Sequence, residues 1–223
     1  MWLQMNNKKL LISLGIFLLI TYSKRFWLGT LDSTAFWVAD IVCYVLIPSV
    51  LIYWMTSGQI SSKKFDEDHV NASNGTIAFQ ALVCTLTLLA MNPIGHLIGI
   101  KLSDSYPKLL ESTLDYGLKL SKVSEYKYVV LLYFALTSSI VEEFFFRGLI
   151  RKILINHFDK SRLAFVIISS IIFGGAHWAA GIAAVVSAGF SGIFLAVLYV
   201  WSRDLRPIMI GHFIFNLIMF SRY

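Results

Sequence analysis

Apolar runs long enough to cross a lipid bilayer dominate this sequence and limit what the chain can become. A crossing helix needs about 20 mostly apolar residues. Seven runs meet or approach that length: Leu10–Tyr22, Thr34–Trp54, Thr76–Ile100, Tyr128–Phe146, Leu163–Ala180, Ile182–Trp201 and Pro207–Phe220, the first and last being short. Inside hydrocarbon each backbone polar group must be satisfied within its own segment, which favours helices. The expected fold class is therefore all-α, a polytopic membrane helical bundle of about seven transmembrane helices, with bounds of about six and eight. Composition agrees. Of the 223 residues, 57% are hydrophobic and 14% charged, whereas a soluble domain is about a quarter charged. Such a chain cannot cover a water-facing surface, so lipid must face much of it.

The length suits one integral membrane domain. Residues 1–127 supply amino-terminal helices and loops without a usable motif, and residues 128–223 hold the chemistry described below. The net charge of +6 reads as Lys and Arg retained at the cytoplasmic face and attracted to anionic lipid. The basic residues form no dense stripe, so nucleic acid is not an expected partner. Cys43 and Cys84 lie in apolar runs and read as small core residues. The first run follows Lys8 and Lys9, but Tyr22-Ser23-Lys24-Arg25-Phe26-Trp27 comes after it in place of a small-residue cleavage pattern. It is read as a retained span.

Arg151, Lys152, Lys160 and Arg162 share one short loop, and Arg203 and Arg206 another. The positive-inside tendency puts both in the cytoplasm, with the amino terminus inside and the carboxyl terminus outside. The Lys101–Lys127 connection then faces outward, in mild conflict with its lysines. An amphipathic helix is expected there around Leu109–Leu120, and a polar loop at Ser57–Gly75.

The stretch Ser138-Ser139-Ile140-Val141-Glu142-Glu143-Phe144-Phe145-Phe146-Arg147-Gly148 carries charge where little is tolerated. An ionised side chain at mid-membrane costs roughly 2.5–3.5 kcal/mol on insertion scales, so such residues usually serve a function or pair with one another. Glu143 and Arg147 are four apart, share a helix face and can pair. Glu142 points about 100° away and needs another partner. The next run offers Phe173-Gly174-Gly175-Ala176-His177-Trp178, where the small residues admit a close neighbouring helix. Positions 142 and 177 are equidistant from the turn at Asp159–Ser161, so in a straight antiparallel hairpin Glu142 and His177 lie at similar depth. The last run holds Gly211-His212-Phe213-Ile214-Phe215-Asn216, with His212 and Asn216 on one face. Counted along straight helices, this pair falls nearer the cytoplasm than Glu142. A kink at Gly148 that laid Leu149–Phe158 on the membrane surface would reduce the difference. It would not move His177, which needs tilt or a kink at Gly174–Gly175.

These groups suit hydrolysis. A carboxylate beside an imidazole can hold and deprotonate water, and His212 and Asn216 can donate hydrogen bonds to a developing oxyanion. Alternatively Glu142, His177 and His212 could hold a divalent metal such as zinc, with water as a further ligand. There is no His-Glu-x-x-His and no Gly-x-Ser-x-Gly. Ser138, Ser139, Ser187 and Ser191 read as packing or back-bonding residues. His96, after Asn92-Pro93, reads as packing or kink-related, and Asp40 and His69 receive no role.

Glu-Glu-x-x-x-Arg, Phe-x-x-x-His and His-x-x-x-Asn, in this order on successive apolar segments, resemble the CPBP family. That family comprises type II CAAX prenyl endopeptidases and the bacteriocin-processing or immunity (Abi) proteins. The resemblance covers about Tyr128–Phe220. It implies that Glu142 with His177 activates the attacking water, and that His212 and Asn216 support the oxyanion or help hold a metal. Glu143, Arg147 and Phe173 would be supporting residues. It further implies an intramembrane protease, of metallo or glutamate type, in a bacterial cell membrane with its site open to the cytoplasm. The substrate would be a membrane-associated peptide or protein, either a lipidated peptide or a toxin precursor, in bacteriocin maturation or self-immunity. Two other classes stand beside it. One is a non-catalytic immunity or scaffold protein that binds a peptide toxin or a sensor. The other is a proton-coupled carrier, disfavoured by the lack of an internal repeat.

Overall fold

The computed structural model describes residues 7–27, 33–56, 72–106, 126–157 and 161–221. Among them every regular element is helical, in seven rods that match the seven apolar runs. The first is α1 (Asn7–Trp27). The second joins α2 (Ser33–Ile41), a π-helical stretch (Val42–Leu46) and α3 (Ile47–Thr56). The third is α4 (Asn74–Ser105), and the fourth joins α5 (Lys127–Glu142), a second π stretch (Glu143–Leu149) and α6 (Ile150–His157). Then come α7 (Arg162–Gly175), a 3-10 turn (Trp178–Ala180), α8 (Ile182–Ser202) and α9 (Leu205–Phe220). The segments Thr34–Met55, Asn74–Ser105, Lys127–Leu154 and Ile182–Ser202 are long and apolar enough to cross a membrane, while α7 and α9 are apolar but shorter. Large apolar side chains such as Leu19, Tyr128 and Ile171 point outward, as a lipid-facing surface requires. The amphipathic helix expected around Leu109–Leu120 lies outside the described residues, as does most of Ser57–Gly75.

Local chemistry sets the element ends. Ser73 Oγ accepts from Thr76 N at 3.2 Å, Ser161 Oγ from Ala164 N at 3.1 Å and Asp204 Oδ1 from Arg206 N at 2.9 Å. Each supplies a first-turn donor of a helix with an acceptor it would otherwise lack. Pro48 has no N–H to give to the preceding turn. Just before it the helix widens, and Ile47 N–H reaches Val42 O, so the rod passes the proline unbroken.

α8 packs between α4 and α7, and α9 lies against α4 and α5. Glycines make these approaches close. A Cβ on Gly99 would lie 2.7 Å from Ala183 Cα, and one on Gly174 would lie 2.9 Å from Gly189 Cα. Small residues let helix backbones meet where lipid gives no hydrophobic drive for association. Lys9 Nζ donates to Trp54 O at 3.4 Å, so the start of α1 meets the end of α3. Successive rods then alternate in direction. That brings Lys8, Lys9, Arg151, Lys152, Arg162, Arg203 and Arg206 to one end of the bundle.

Candidate active site

Phe173 is where the three motifs meet. Its ring lies 4.2 Å from the Arg147 guanidinium carbon. It meets His177 edge-on at 5.0 Å between ring centroids and His212 at 6.3 Å. Behind it, Arg147 Nη1 donates to Glu143 Oε1 at 3.3 Å, and His212 Nδ1 meets the same oxygen at 2.7 Å. A carboxylate oxygen only accepts, so His212 Nδ1 carries the hydrogen. Glu143 and Arg147 are both 0% exposed, and the expected pairing of the two is present. Arg147 also donates to Gly192 O of α8 at 3.4 Å. Ser169 of α7 donates to Phe146 O at 2.8 Å.

His212 therefore meets Glu143 rather than Glu142. Glu142 is half-buried, and among the described residues its carboxylate makes no hydrogen bond or ion pair. The Arg147–Phe173 contact fixes the register of the α5–α7 hairpin. Five residues before Arg147, Glu142 falls toward the end of the hairpin where α7 gives way to the turn that carries His177.

His177 itself departs from the expected picture. The run Leu163–Ala180 predicts one span, yet α7 stops at Gly175 and His177 sits in the following turn. The glycine pair explains the stop: it is poor in helix propensity, and close neighbours hold it, Gly189 of α8 against Gly174 and Tyr22 of α1 against Gly175. His177 N–H turns to Gly174 O at 3.0 Å, leaving Phe173 O without its usual fourth-residue donor. The His177 ring takes that place, with Nδ1 2.9 Å from Phe173 O. This is the local meaning of the Phe-x-x-x-His spacing. A carbonyl only accepts, so Nδ1 carries the hydrogen, and the lone pair of the neutral ring sits on Nε2.

Asn216 Nδ2 donates to Ser138 Oγ at 2.9 Å, and Ser138 Oγ in turn donates to Phe134 O at 2.6 Å. Ser138 is thus the back-bonding residue expected, and it also orients Asn216. The signal for that second role is its place four residues before Glu142, on the same face.

The depth conflict at His212 has a structural answer. The α8–α9 turn is recessed: Ser202 is 3% and Asp204 1% exposed. Leu205 Cδ1 lies 3.0 Å from where a Cβ on Gly148 would be. Gly148 thus admits the recessed turn and does not end its helix. At 1.5 Å per residue, Phe173 is about 16 Å into α7 and His212 about 10 Å into α9, so α9 starts roughly one turn deeper.

Upstream helices hold the same site. Thr85 Oγ1 of α4 donates to Gly211 O at 3.2 Å, and Cys84 packs where a Gly211 side chain would be. Asn92 Nδ2 donates to Ser187 at 2.9 Å and Ser191 at 3.1 Å on α8, beside the Gly192 carbonyl that Arg147 uses. His96 is exposed on α4, so it does not pack in the core. Asp40, with no role expected, is buried and accepts from Tyr133 Oη at 2.8 Å.

Glu142, His177 and His212 are not gathered as a metal site. Among the described residues no three His, Cys, Asp or Glu side chains stand close enough to hold an ion.

The family model of type II CAAX prenyl endopeptidase Rce1-like proteins matches residues 124–218. The match takes in α5 to α9 and all three motifs, less than half of the chain. No curated protein and no solved structure matches.

Proposed function

We propose that this chain is an intramembrane endopeptidase that hydrolyses a peptide bond of a membrane-associated or lipidated peptide or protein. One observation carries the reading: Glu-Glu-x-x-x-Arg, Phe-x-x-x-His and His-x-x-x-Asn converge on the Phe173 ring and the buried Glu143–Arg147–His212 chain. The family match over residues 124–218 supports it. Glu143, Arg147 and Phe173 frame the site, and Glu142 with His177 does the chemistry. Water attacks the scissile carbonyl carbon while its proton passes to Glu142 or to the Nε2 lone pair of His177. The C–N bond then breaks, and that proton goes to the leaving amine. Asn216 has a second amide N–H for the oxyanion beyond the one given to Ser138. His212 can add a donor at Nε2 only as imidazolium, since its Nδ1 hydrogen is directed at Glu143.

The basic end of the bundle faces the cytoplasm of a bacterial cell on this reading, and the biological role is peptide-toxin maturation or self-immunity. A second reading, a non-catalytic immunity or scaffold protein for a peptide toxin, is favoured by the sealing of Glu143 and His212 into structural bonds. The detergent-purified protein, with its metal content measured, separates the two when given prenylated carboxyl-terminal peptides and peptides encoded by neighbouring genes. Glu142→Ala and His177→Ala should each abolish cleavage while membrane abundance stays intact. Full activity in either variant would mean that the scaffold reading holds.

A further inference from the structure

The family-model match begins at residue 124, yet the turn that carries His177 is tied to the first helix. Tyr22 of α1 does this with two bonds. Its hydroxyl donates to Ile172 O at 2.9 Å, and its own carbonyl accepts from Trp178 Nε1 at 3.0 Å. The two bonds bracket His177, one on the last turn of α7 and one on the residue that follows the histidine. The last carbonyls of a helix lack a full set of partners. Ile172 O already accepts from Ala176 N at 3.0 Å, and the Tyr22 hydroxyl takes its remaining acceptor position. Gly175 records the same contact independently: a Cβ there would lie 2.5 Å from Tyr22 Oη. Five residues earlier Phe17 stacks on Phe145 at 4.0 Å and meets Phe146 edge-on at 5.5 Å. One helix thus touches both the acidic segment and the histidine turn.

We propose that Tyr22 is a positioning residue and that α1 latches the His177 turn in register with Glu142, so that the working unit begins at α1. The consequence for catalysis rests on the role given to His177 above; the latch itself does not. An outside tie has a physical purpose here. After Gly175 the chain leaves the α-helix for a single 3-10 turn, and Gly181 adopts φ 90°, so short-range turn bonds hold it in place of a continuous helical ladder. Segments of that kind open at low free energy unless something fixes them.

Tyr22→Phe removes one hydroxyl and keeps the ring. In the full-length protein in detergent, carbethoxylation by diethyl pyrocarbonate is followed at single histidines by peptide mass mapping. The rate at His177 should rise several-fold, with His212 unchanged as the internal standard. Peptide hydrolysis should lose kcat by about ten-fold with KM unchanged, the scale of one lost hydrogen bond. Gly175→Ala should lower the unfolding temperature in the Tyr22 background and much less in the Tyr22→Phe background, because the atom it collides with is gone. If Tyr22→Phe accumulates poorly, Trp178→Phe breaks the second bond and should expose His177 in the same way. An unchanged His177 rate in either variant, or additive effects of Gly175→Ala and Tyr22→Phe on unfolding, overturns the latch. Absence of hydrolysis by the unaltered protein overturns the protease reading instead, and the latch is then judged on modification and unfolding.

Discussion

Glu142 and Glu143 are neighbours with opposite surroundings, and the helix itself separates them. Adjacent side chains diverge by about 100°, so one arginine cannot serve both. Glu143 is wholly buried with Arg147 and His212; Glu142 keeps a half-buried carboxylate. Removing one member of a buried ion pair leaves the other charge uncompensated, at a cost of about 3–5 kcal/mol. Glu143→Gln should therefore lose most of its resistance to thermal unfolding in detergent. Glu142→Gln should stay within about 0.5 kcal/mol of the parent while losing its hydrolysis. Equal destabilisation by the two substitutions would refute this division of labour. That the pair Glu143–Arg147 would form was legible from a spacing of four. The choice of His212 for Glu143 was not, because it depends on how α9 is seated against α5.

Among helices, backbone proximity does the work that hydrophobicity cannot do inside lipid. Gly99 and Gly174 allow α4 and α7 to reach the α8 backbone, and a methyl group at either has no room. Gly99→Ala and Gly174→Ala should each cost about 1–3 kcal/mol, as overpacking does. A methyl group on Gly15 would meet nothing within 4 Å, so Gly15→Ala should be neutral or stabilising by up to about 1 kcal/mol through helix propensity. Denaturation of the three variants in mixed micelles measures the contrast. If Gly174→Ala behaves like Gly15→Ala, the close α7–α8 contact is wrong. The small residues before His177 pointed to a close neighbour, but they also end the helix. A sequence pattern does not say which of two effects of glycine prevails; the approach of Gly189 decided it.

The motif-bearing helices are held by helices that carry no motif. Thr85 and Cys84 of α4 engage α9 one to four residues before His212, and Tyr22 of α1 engages the His177 turn. A chain that starts at Ser124 keeps every motif residue but loses both supports. It should be degraded or remain unfolded in membranes, and co-expression of residues 1–123 should restore protease resistance. Accumulation of a stable, active 124–223 fragment would show the upstream helices to be dispensable. Helix number and membrane class were readable from the linear chain, because they follow from hydropathy, which is a local property. Pairing was not. Which glutamate meets which histidine depends on the recessed α8–α9 turn, on the room that Gly148 leaves for Leu205 and on the stop at Gly175. Those are distances between segments far apart in the chain, and they exist only once the helices have packed.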